Sequence, residues 1–267
     1  MSIEDAERVL KLQHEAGLRF GDAAQRLKLV NDEDIDFALA SQFDYTYLSP
    51  GRSAVDASVV AAYSPFSPAV ERLRALRSQL MLRGVGGGGE HKGLAKGLAV
   101  LSTRRGDGRT WLAANLAVAF TQIGQRVLLV DADMRNGRLH RLFAVEDKLG
   151  LSSLLAGRVG SDAIQRVTDL PGLSVLSAGA RPPNPQELLS RSRFEELLAR
   201  AASAFDLVIF DTPAVDDFAD AYAVARHAGT AVLVARKNVS RARAIASLAE
   251  GVQEVGASLV GAVVNER

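Results

Sequence analysis

The sequence predicts an α/β protein whose doubly wound, mainly parallel sheet is of the P-loop type, preceded by a small helical N-terminal module. From about residue 97 onward, short apolar runs alternate with amphipathic helical stretches. Because strands buried on both faces read as near-continuous apolar segments, this alternation indicates a parallel sheet covered by helices on both sides. The runs are Leu98–Leu101, Val127–Val130, Leu173–Leu176, Leu207–Phe210, Ala231–Val234 and Leu259–Val264.

Composition narrows the functional classes. The 267 residues are 48% hydrophobic and carry a net charge of +1, which gives no support to a nucleic-acid-binding surface. There is no cysteine, so disulfides, thiolate metal sites and cysteine nucleophiles are excluded. Neither a signal peptide nor an apolar run near the ~20 residues of a membrane span is evident. We therefore expect a cytoplasmic protein, for which any recruitment to the inner face of the membrane would come through a partner.

Three regions follow from the pattern. Residues 1–48 read as a helical module, and residues 49–95 read as a linker rich in proline and glycine. Within that linker we expect a helix over residues 69–83 and a flexible glycine-rich hinge at residues 84–89. Residues 96–267 form the predicted nucleotide-binding domain.

The first strand of that domain runs into a loop and then a helix, as in a P-loop. Gly108 and Thr110 match the pattern G-x-x-x-x-G-K-[ST], whereas Thr103 replaces its first glycine and Arg109 its lysine. Backbone N–H groups and the helix N-terminus can hold phosphate oxygens, and Arg109 would contact the β- and γ-phosphates. The predicted nucleotide-binding residues here are Arg105, Gly106, Asp107, Gly108, Arg109, Thr110 and Trp111.

Carboxylates follow two of the later strands. Asp131 and Asp133 end one apolar run, and Asp211 ends another. Ligands bind at the carboxyl edge of such sheets, and a buried carboxylate without a partner is costly, so these residues predict a cation or another partner group. We expect Thr110 and Asp211 to hold magnesium, and Asp131 or Asp133 to lie near the γ-phosphate and act on a nucleophile. The alternative for each carboxylate alone is a helix cap or a salt bridge.

Three segments carry a family resemblance: residues 127–135, residues 205–213 and the Pro-Pro-Asn-Pro-Gln-Glu-Leu-Leu run at 182–189. Together they resemble the bacterial tyrosine autokinases (BY-kinases), and most closely the cytoplasmic EpsG type encoded with exopolysaccharide chain-length determinants. The resemblance implies ATP and magnesium as cofactors, phosphoryl transfer to tyrosine, catalytic roles for Asp131, Asp133 and Arg109, and a further metal contact from Asp131. It also implies a membrane-embedded chain-length determinant as partner. Asn265, after the last strand, resembles an adenine-edge asparagine of the wider superfamily.

The predicted helix over 69–83 contains the motif E-x-x-R-x-x-R. Its spacing places Glu71, Arg74 and Arg77 on one helical face. In the BY-kinases this motif lies at the interface of ring-shaped oligomers, so the resemblance implies a homo-oligomeric ring. The alternative is a solvated charged face.

Residues 1–48 resemble a different module, the N-terminal domain of GspE/MshE-type secretion ATPases, some of which bind cyclic di-GMP through two complete repeats. Here the first repeat lacks its Arg-x-Gly half, and Lys28 stands where a glycine is expected. We therefore expect a docking role for this module, with cyclic di-GMP binding as the less favoured alternative.

Some features depart from the family pattern. The tyrosine-rich tail of the BY-kinases is not found, because the only tyrosines are Tyr45, Tyr47, Tyr63 and Tyr222. The first three lie in or near the predicted linker, where they could reach a neighbour's site or simply pack.

These departures, with Arg109, keep two alternatives to a kinase open. One is an ATP-dependent switch that assembles on a polysaccharide co-polymerase without phosphoryl transfer. The other is a ParA/MinD-like positioning ATPase, which Arg104 disfavours because it replaces that family's signature lysine.

Overall fold

The computed structural model describes residues 2–42, 47–49, 51–86 and 97–266. In this part of the chain the helices before the first strand are α1 (Ile3–Ala16), α2 (Phe20–Arg26), α3 (Asp32–Gln42), α4 (Val60–Tyr63) and α5 (Pro68–Leu82). The strands are β1 (Gly97–Leu101), β2 (Val127–Asp131), β3 (Ile164–Arg166), β4 (Leu173–Leu176), β5 (Leu207–Asp211), β6 (Thr230–Arg236) and β7 (Ser258–Asn265). The remaining helices are α6 (Arg109–Thr121), α7 (Leu139–Leu142), α8 (Leu151–Leu155), α9 (Pro185–Leu189), α10 (Ser192–Ala204), α11 (Asp220–Ala228) and α12 (Ala242–Glu254), with a 3-10 turn at Ser161–Ala163.

The seven strands form one sheet in the order β3-β4-β2-β5-β1-β6-β7. Every neighbouring pair is parallel except β3 and β4, so the predicted mainly parallel α/β fold is confirmed. Strand β3 was not predicted, since its three residues at the sheet edge are only partly buried and carry no apolar run.

The core lies on both faces of the sheet, as strand periodicity requires. Leu98 and Val100 of β1 pack with α5 and α6 on one face. Ala99 and Leu101 point to the other face and pack with α8 to α12. Both faces are therefore covered, and the carboxyl ends of β1, β2 and β5 meet at one edge.

Part of the segment predicted as linker, around residues 55–62, packs in this core. Val55 and Val59 are buried in the same cluster as α6. The buried Asn115 of α6 accepts a hydrogen bond from the Ala61 N–H (2.9 Å) and donates one to the Ser58 carbonyl (3.1 Å). These apolar side chains and the satisfied backbone fix the segment on α6. Of the predicted glycine hinge, residues 87–89 lie outside the described residues.

The N-terminal helices have their own small cluster. Val9 of α1 packs against Ala23 and Ala24 of α2, and Ser2 and Asp5 form a capping box at the start of α1. Lys28, at the position where the repeat would carry glycine, adopts a left-handed φ of 56°. The backbone thus keeps the conformation that glycine would serve, although the relation to GspE/MshE modules stays a prediction.

Candidate nucleotide-binding site

The conformation of the loop between β1 and α6 depends on its glycines. Gly106 and Gly108 have φ values of 87° and 109°, which side-chain-bearing residues rarely adopt. A Cβ on Gly108 would also lie 2.5 Å from the amide nitrogen of Asn265. That amide donates to the Asp107 carbonyl (2.9 Å), and the buried Asp107 carboxylate accepts from the Arg104 N–H (2.9 Å). The loop is therefore braced from both sides.

Arg109 lies inside this loop and is 8% exposed. Its Nε donates to the Thr212 carbonyl (2.8 Å), and its Nη1 donates to the Arg104 carbonyl (2.8 Å) and to the Ser102 hydroxyl. The guanidinium thus joins the two ends of the loop to the segment after β5. Of the three guanidinium nitrogens, only Nη2 has no acceptor among the described residues, which leaves it available for a phosphate.

The two strand-tip aspartates face each other across neighbouring strands. Asp131 and Asp211 are register partners on β2 and β5. Thr110 Oγ1 donates to Asp211 Oδ2 (2.6 Å), and Asp131 Oδ2 accepts from the backbone N–H groups of Arg138 (2.8 Å) and Leu139 (3.0 Å). The second oxygen of each carboxylate is buried and has no hydrogen-bond partner among the described residues.

The pKa values of both carboxyl groups are raised by their surroundings. Burial raises the pKa of Asp211 to about 7. Burial, followed by the charge of Asp211, raises the pKa of Asp131 well above its usual range. Two buried, unpaired carboxylate oxygens beside a threonine hydroxyl are hard oxygen donors, which fits a magnesium ion that would compensate both charges.

Asp133 follows β2 and is more accessible than Asp131, the last residue of that strand. Its Oδ1 accepts from the N–H groups of Arg135 (3.2 Å) and Asn136 (2.9 Å), which fixes the carboxylate. It lines a cavity of about 420 Å³ that opens above the loop. The other residues around this cavity are Ser58, Arg105, Gly106, Gly108, Arg109, Thr110, Trp111, Asn136, Arg138 and Leu142.

The arginine that ends the D-A-D-M-R run does not reach this cavity. Arg135 forms a partly buried ion pair with Asp220 (2.9 Å) and lies 3.9 Å above the Phe218 ring. It therefore anchors the segment between β5 and α11. The sequence did not predict a role for Asp220, because acidic residues are common in the first turn of a helix.

The three residues of the E-x-x-R-x-x-R motif have different surroundings. Arg74 forms an exposed ion pair with Glu71 (3.1 Å) on α5. Arg77 turns inward, where its Nη1 donates to the Ala119 carbonyl near the end of α6 (2.6 Å). Glu71 and Arg74 thus lie on the outer side of α5, whereas Arg77 ties α5 to α6.

The described tyrosines pack within the chain. Tyr63 donates its hydroxyl to the Val55 carbonyl, and Tyr47 lies 5.9 Å from the Phe37 ring. Burial raises the pKa of Tyr222 of α11, whose ring lies against Gly251 of α12. Tyr45 lies outside the described residues.

No helix in the described ranges 2–42, 47–49, 51–86 and 97–266 is long and apolar enough to cross a membrane.

Sequence comparisons identify relatives of this chain. The family model of the cellulose biosynthesis protein BcsQ matches residues 95–246. The tyrosine-protein kinase YwqD of Bacillus subtilis is 34% identical over 213 residues, which cover 80% of this chain and 87% of YwqD. The tyrosine-protein kinase etk of Escherichia coli K12 is 34% identical over 210 residues, but the match covers only 28% of that longer protein and 77% of this chain.

Comparisons with solved structures also find a bacterial tyrosine kinase among the similar proteins. The kinase domain of Escherichia coli tyrosine kinase ETK superposes with a TM-score of 0.72 at 35% identity, over 78% of this chain and 79% of that domain. The chimerical protein CapA2B2 gives the same TM-score at 31% identity, over 86% and 98% of the two chains. The septum site-determining protein MinD of Pyrococcus horikoshii, in complex with Mg-ADP, shares only the fold, with a TM-score of 0.55 at 24% identity over 63% and 69% of the two chains.

Proposed function

Because this chain belongs to the bacterial tyrosine-protein kinase family, we propose that it binds ATP with magnesium and transfers the γ-phosphoryl group to a protein tyrosine. The observation that carries the proposal is the pair of buried, unpaired carboxylate oxygens of Asp131 and Asp211 beside Thr110 and the glycine-braced loop. This arrangement meets the needs of phosphoryl transfer, which depends on positioning and on compensation of phosphate charge.

Each side chain has a part in this chemistry. Backbone N–H groups of residues 106–110 bind phosphate oxygens at the start of α6, and Arg109 adds the positive charge of Nη2. Thr110 and Asp211, together with Asp131, would hold magnesium, which when bound neutralises charge on the phosphates. Asp133 faces the cavity and is the group that an incoming hydroxyl can reach.

The transfer step then balances as follows. The phenolic oxygen of tyrosine forms a bond to the γ-phosphorus while the bond from that phosphorus to the β,γ-bridging oxygen breaks, and ADP leaves. The phenolic proton passes to the carboxylate of Asp133, which acts as general base. We assign this role to Asp133 rather than Asp131 because Asp131 is fully buried.

We further propose a setting for this activity in exopolysaccharide polymerisation and export. The family relationship supports it, and it implies a membrane-embedded chain-length determinant as partner and a ring of identical subunits. In such a ring the exposed Glu71–Arg74 pair on α5 would contact the neighbouring subunit. The N-terminal module would serve docking.

One observation favours a second candidate function, an ATP-dependent assembly switch without phosphoryl transfer. Arg109 has Nε and Nη1 committed to protein acceptors, so its guanidinium cannot follow the γ-phosphate as a lysine ammonium could. Binding would persist under this alternative, while transfer would be lost.

The test is incubation of the purified chain with γ-labelled ATP and magnesium, alone, with a glutamate–tyrosine copolymer, and with the cytoplasmic part of a chain-length determinant. We expect label on tyrosine, a loss of roughly 100-fold or more in rate for Asp133→Asn, and unchanged ATP affinity in that variant. Asp162→Asn, an exposed carboxylate far along the chain from the loop, is the matched control. Binding without transfer to any acceptor would overturn the kinase in favour of the switch, and the absence of binding would overturn both.

A further inference from the structure

A separate cavity, of about 440 Å³, lies between α10 and the antiparallel strand pair β3–β4 at the edge of the sheet. The end of α8 and Phe205, just before β5, complete its boundary. The residues that line it are different from those around the cavity beside Asp133. Because β5 runs from Phe205 toward Asp211 at about 3.3 Å per residue, the two sites lie at opposite ends of this strand.

The walls of this cavity are apolar. Leu197 of α10 is buried, and Leu154, Ile164 and Phe205 pack against the same core cluster as partly buried side chains. Ala204, at the end of α10, is small and exposed, so it leaves the cavity open to solvent. A cavity within the ~300–1,000 Å³ range, with mainly apolar walls, is typical of a site for a small molecule.

One buried polar side chain faces this cavity without a partner. Ser174 of β4 is 7% exposed, and its hydroxyl forms no hydrogen bond with any residue that the structure describes. Its neighbours Leu173 and Val175 belong to the core cluster on the opposite face of the sheet, so strand alternation directs Ser174 toward α10. A buried hydroxyl is costly unless it is hydrogen-bonded, so a polar group of a ligand would stabilise it.

Positive charge surrounds the opening of the cavity. Arg166 is the register partner of Ser174 across β3 and β4, and Arg193 and Arg200 lie two turns apart on one face of α10. All three side chains are exposed, and none of them forms an ion pair or a side-chain hydrogen bond within the described ranges. Glu196 supplies the single carboxylate among the lining residues, so positive charge is in excess.

The fold makes specific room for one of these charges. Gly157, just after α8, has a φ of 73°, and a Cβ at this position would overlap the guanidinium of Arg193. Arg193 also lies in the first turn of α10, where the helix dipole disfavours a cation. The position of Arg193 therefore does not stabilise its own helix, whereas an anion in the cavity would compensate its charge.

We propose that this cavity binds a small anionic amphiphile, a molecule with an apolar chain or ring and one carboxylate or phosphate group. The anionic group would accept hydrogen bonds from Ser174 and from its cross-strand neighbour Arg166, while Arg193 and Arg200 add positive potential at the opening. Arginine suits this role because its planar guanidinium binds carboxylate and phosphate through paired hydrogen bonds. The apolar body would lie against Leu197. Binding here is independent of the proposed phosphoryl transfer.

Calorimetry of the full chain tests the charge of the ligand, with laurate as the anionic probe and dodecyltrimethylammonium as its cationic counterpart. We expect one laurate to bind per chain, and the cation to bind at least about tenfold more weakly. Arg200→Glu should lower laurate affinity at least about tenfold, and Glu196→Gln should raise it, because the excess of positive charge changes in opposite directions. Arg243→Glu, at an exposed position of α12, is the matched control.

A second pair of variants tests the cavity itself. Ala204→Phe, which places a ring in the cavity from an exposed position, should lower laurate affinity at least about tenfold, whereas Ala246→Phe on α12 should not change it. The site would be overturned by an absence of laurate binding, by equal affinity for the cation, or by binding that neither Arg200→Glu nor Ala204→Phe weakens. Binding to phosphatidylglycerol vesicles without binding to free laurate would also overturn it, in favour of a membrane surface.

Discussion

Asp211 is expected to reduce the stability of the nucleotide-free protein, because its carboxylate is buried. It is 2% exposed, one of its oxygens has no hydrogen-bond partner among the described residues, and its neighbour Asp131 is a second buried carboxylate. Replacing it by asparagine keeps the shape and an acceptor for Thr110 while it removes the charge. We therefore expect Asp211→Asn to stabilise the apo protein at neutral and alkaline pH.

The magnitude follows from the pKa of the carboxyl. Burial raises it from the usual 3.8 to about 7. At about 1.36 kcal/mol for each pH unit between these values, keeping the group ionised in the fold costs up to about 4 kcal/mol. Because Asp131 shares the same site and part of that cost, we expect a gain of roughly 2–4 kcal/mol for Asp211→Asn at pH 8. For a domain of this size, that corresponds to a rise of at least about 4 °C in Tm.

The direction of this pKa shift also determines how the stability of the protein depends on pH. Between pH 3.8 and about 7 the native protein keeps a proton that the unfolded chain has released, so wild-type stability falls as pH rises through this window. Above about pH 7 the destabilisation caused by ionised Asp211 is complete, and Asp211→Asn does not show this destabilisation.

The assay is thermal or urea unfolding of wild type and Asp211→Asn from pH 5 to 8 without magnesium or nucleotide. Asp206→Asn, which breaks an ion pair with Arg126 just before the same strand, serves as control and should be destabilised slightly if at all. Magnesium and ATP should stabilise the wild type far more than Asp211→Asn. A lower Tm for Asp211→Asn at pH 8, or equal pH slopes for both proteins, would refute the reasoning.

Three further outcomes are expected from the same structure. Arg109→Lys should keep ATP affinity within about tenfold of wild type, because the positive charge remains. The variant should lower the stability of the nucleotide-free protein by roughly 1–3 kcal/mol, because the hydrogen bonds to the Thr212 and Arg104 carbonyls are lost. Calorimetry measures the affinity and urea unfolding the stability, and abolished ATP binding would contradict this expectation. Asn115→Ala should cost about 2–3 kcal/mol and expose residues 51–63 to limited proteolysis, since the Ala61 N–H loses its acceptor; unchanged digestion would contradict it. Binding of magnesium with ADP at pH 6.5 should release a proton that Asp211→Asn does not release, as measured by calorimetry in two buffers, because the cation displaces the proton that Asp211 holds up to about pH 7.

The parts of the molecule that the sequence predicted are those governed by local pattern. Continuous apolar runs predicted the central strands, and Asp131 and Asp211, which end two of these runs, are register partners on β2 and β5. The strand–loop–helix pattern likewise located the glycine-containing loop between β1 and α6.

The remainder depends on contacts between residues far apart in the chain. The bonds from Asn115 to Ser58 and Ala61 span more than fifty residues, so proline and glycine content alone made that segment read as a linker. The inward turn of Arg77 depends on the carbonyl of Ala119, and that of Arg109 on the carbonyl of Thr212. Helical spacing and motif position cannot reveal either acceptor.

Native mass measurement of the full chain with magnesium and ATP, followed by phosphosite mapping of the same sample and of an added chain-length determinant, tests the central claim most directly. We predict bound nucleotide, ADP formation, and phosphate recovered on tyrosine in amounts that Asp133→Asn reduces by roughly 100-fold or more. Bound ATP that remains intact, with no phosphotyrosine on either protein, would contradict the proposed phosphoryl transfer.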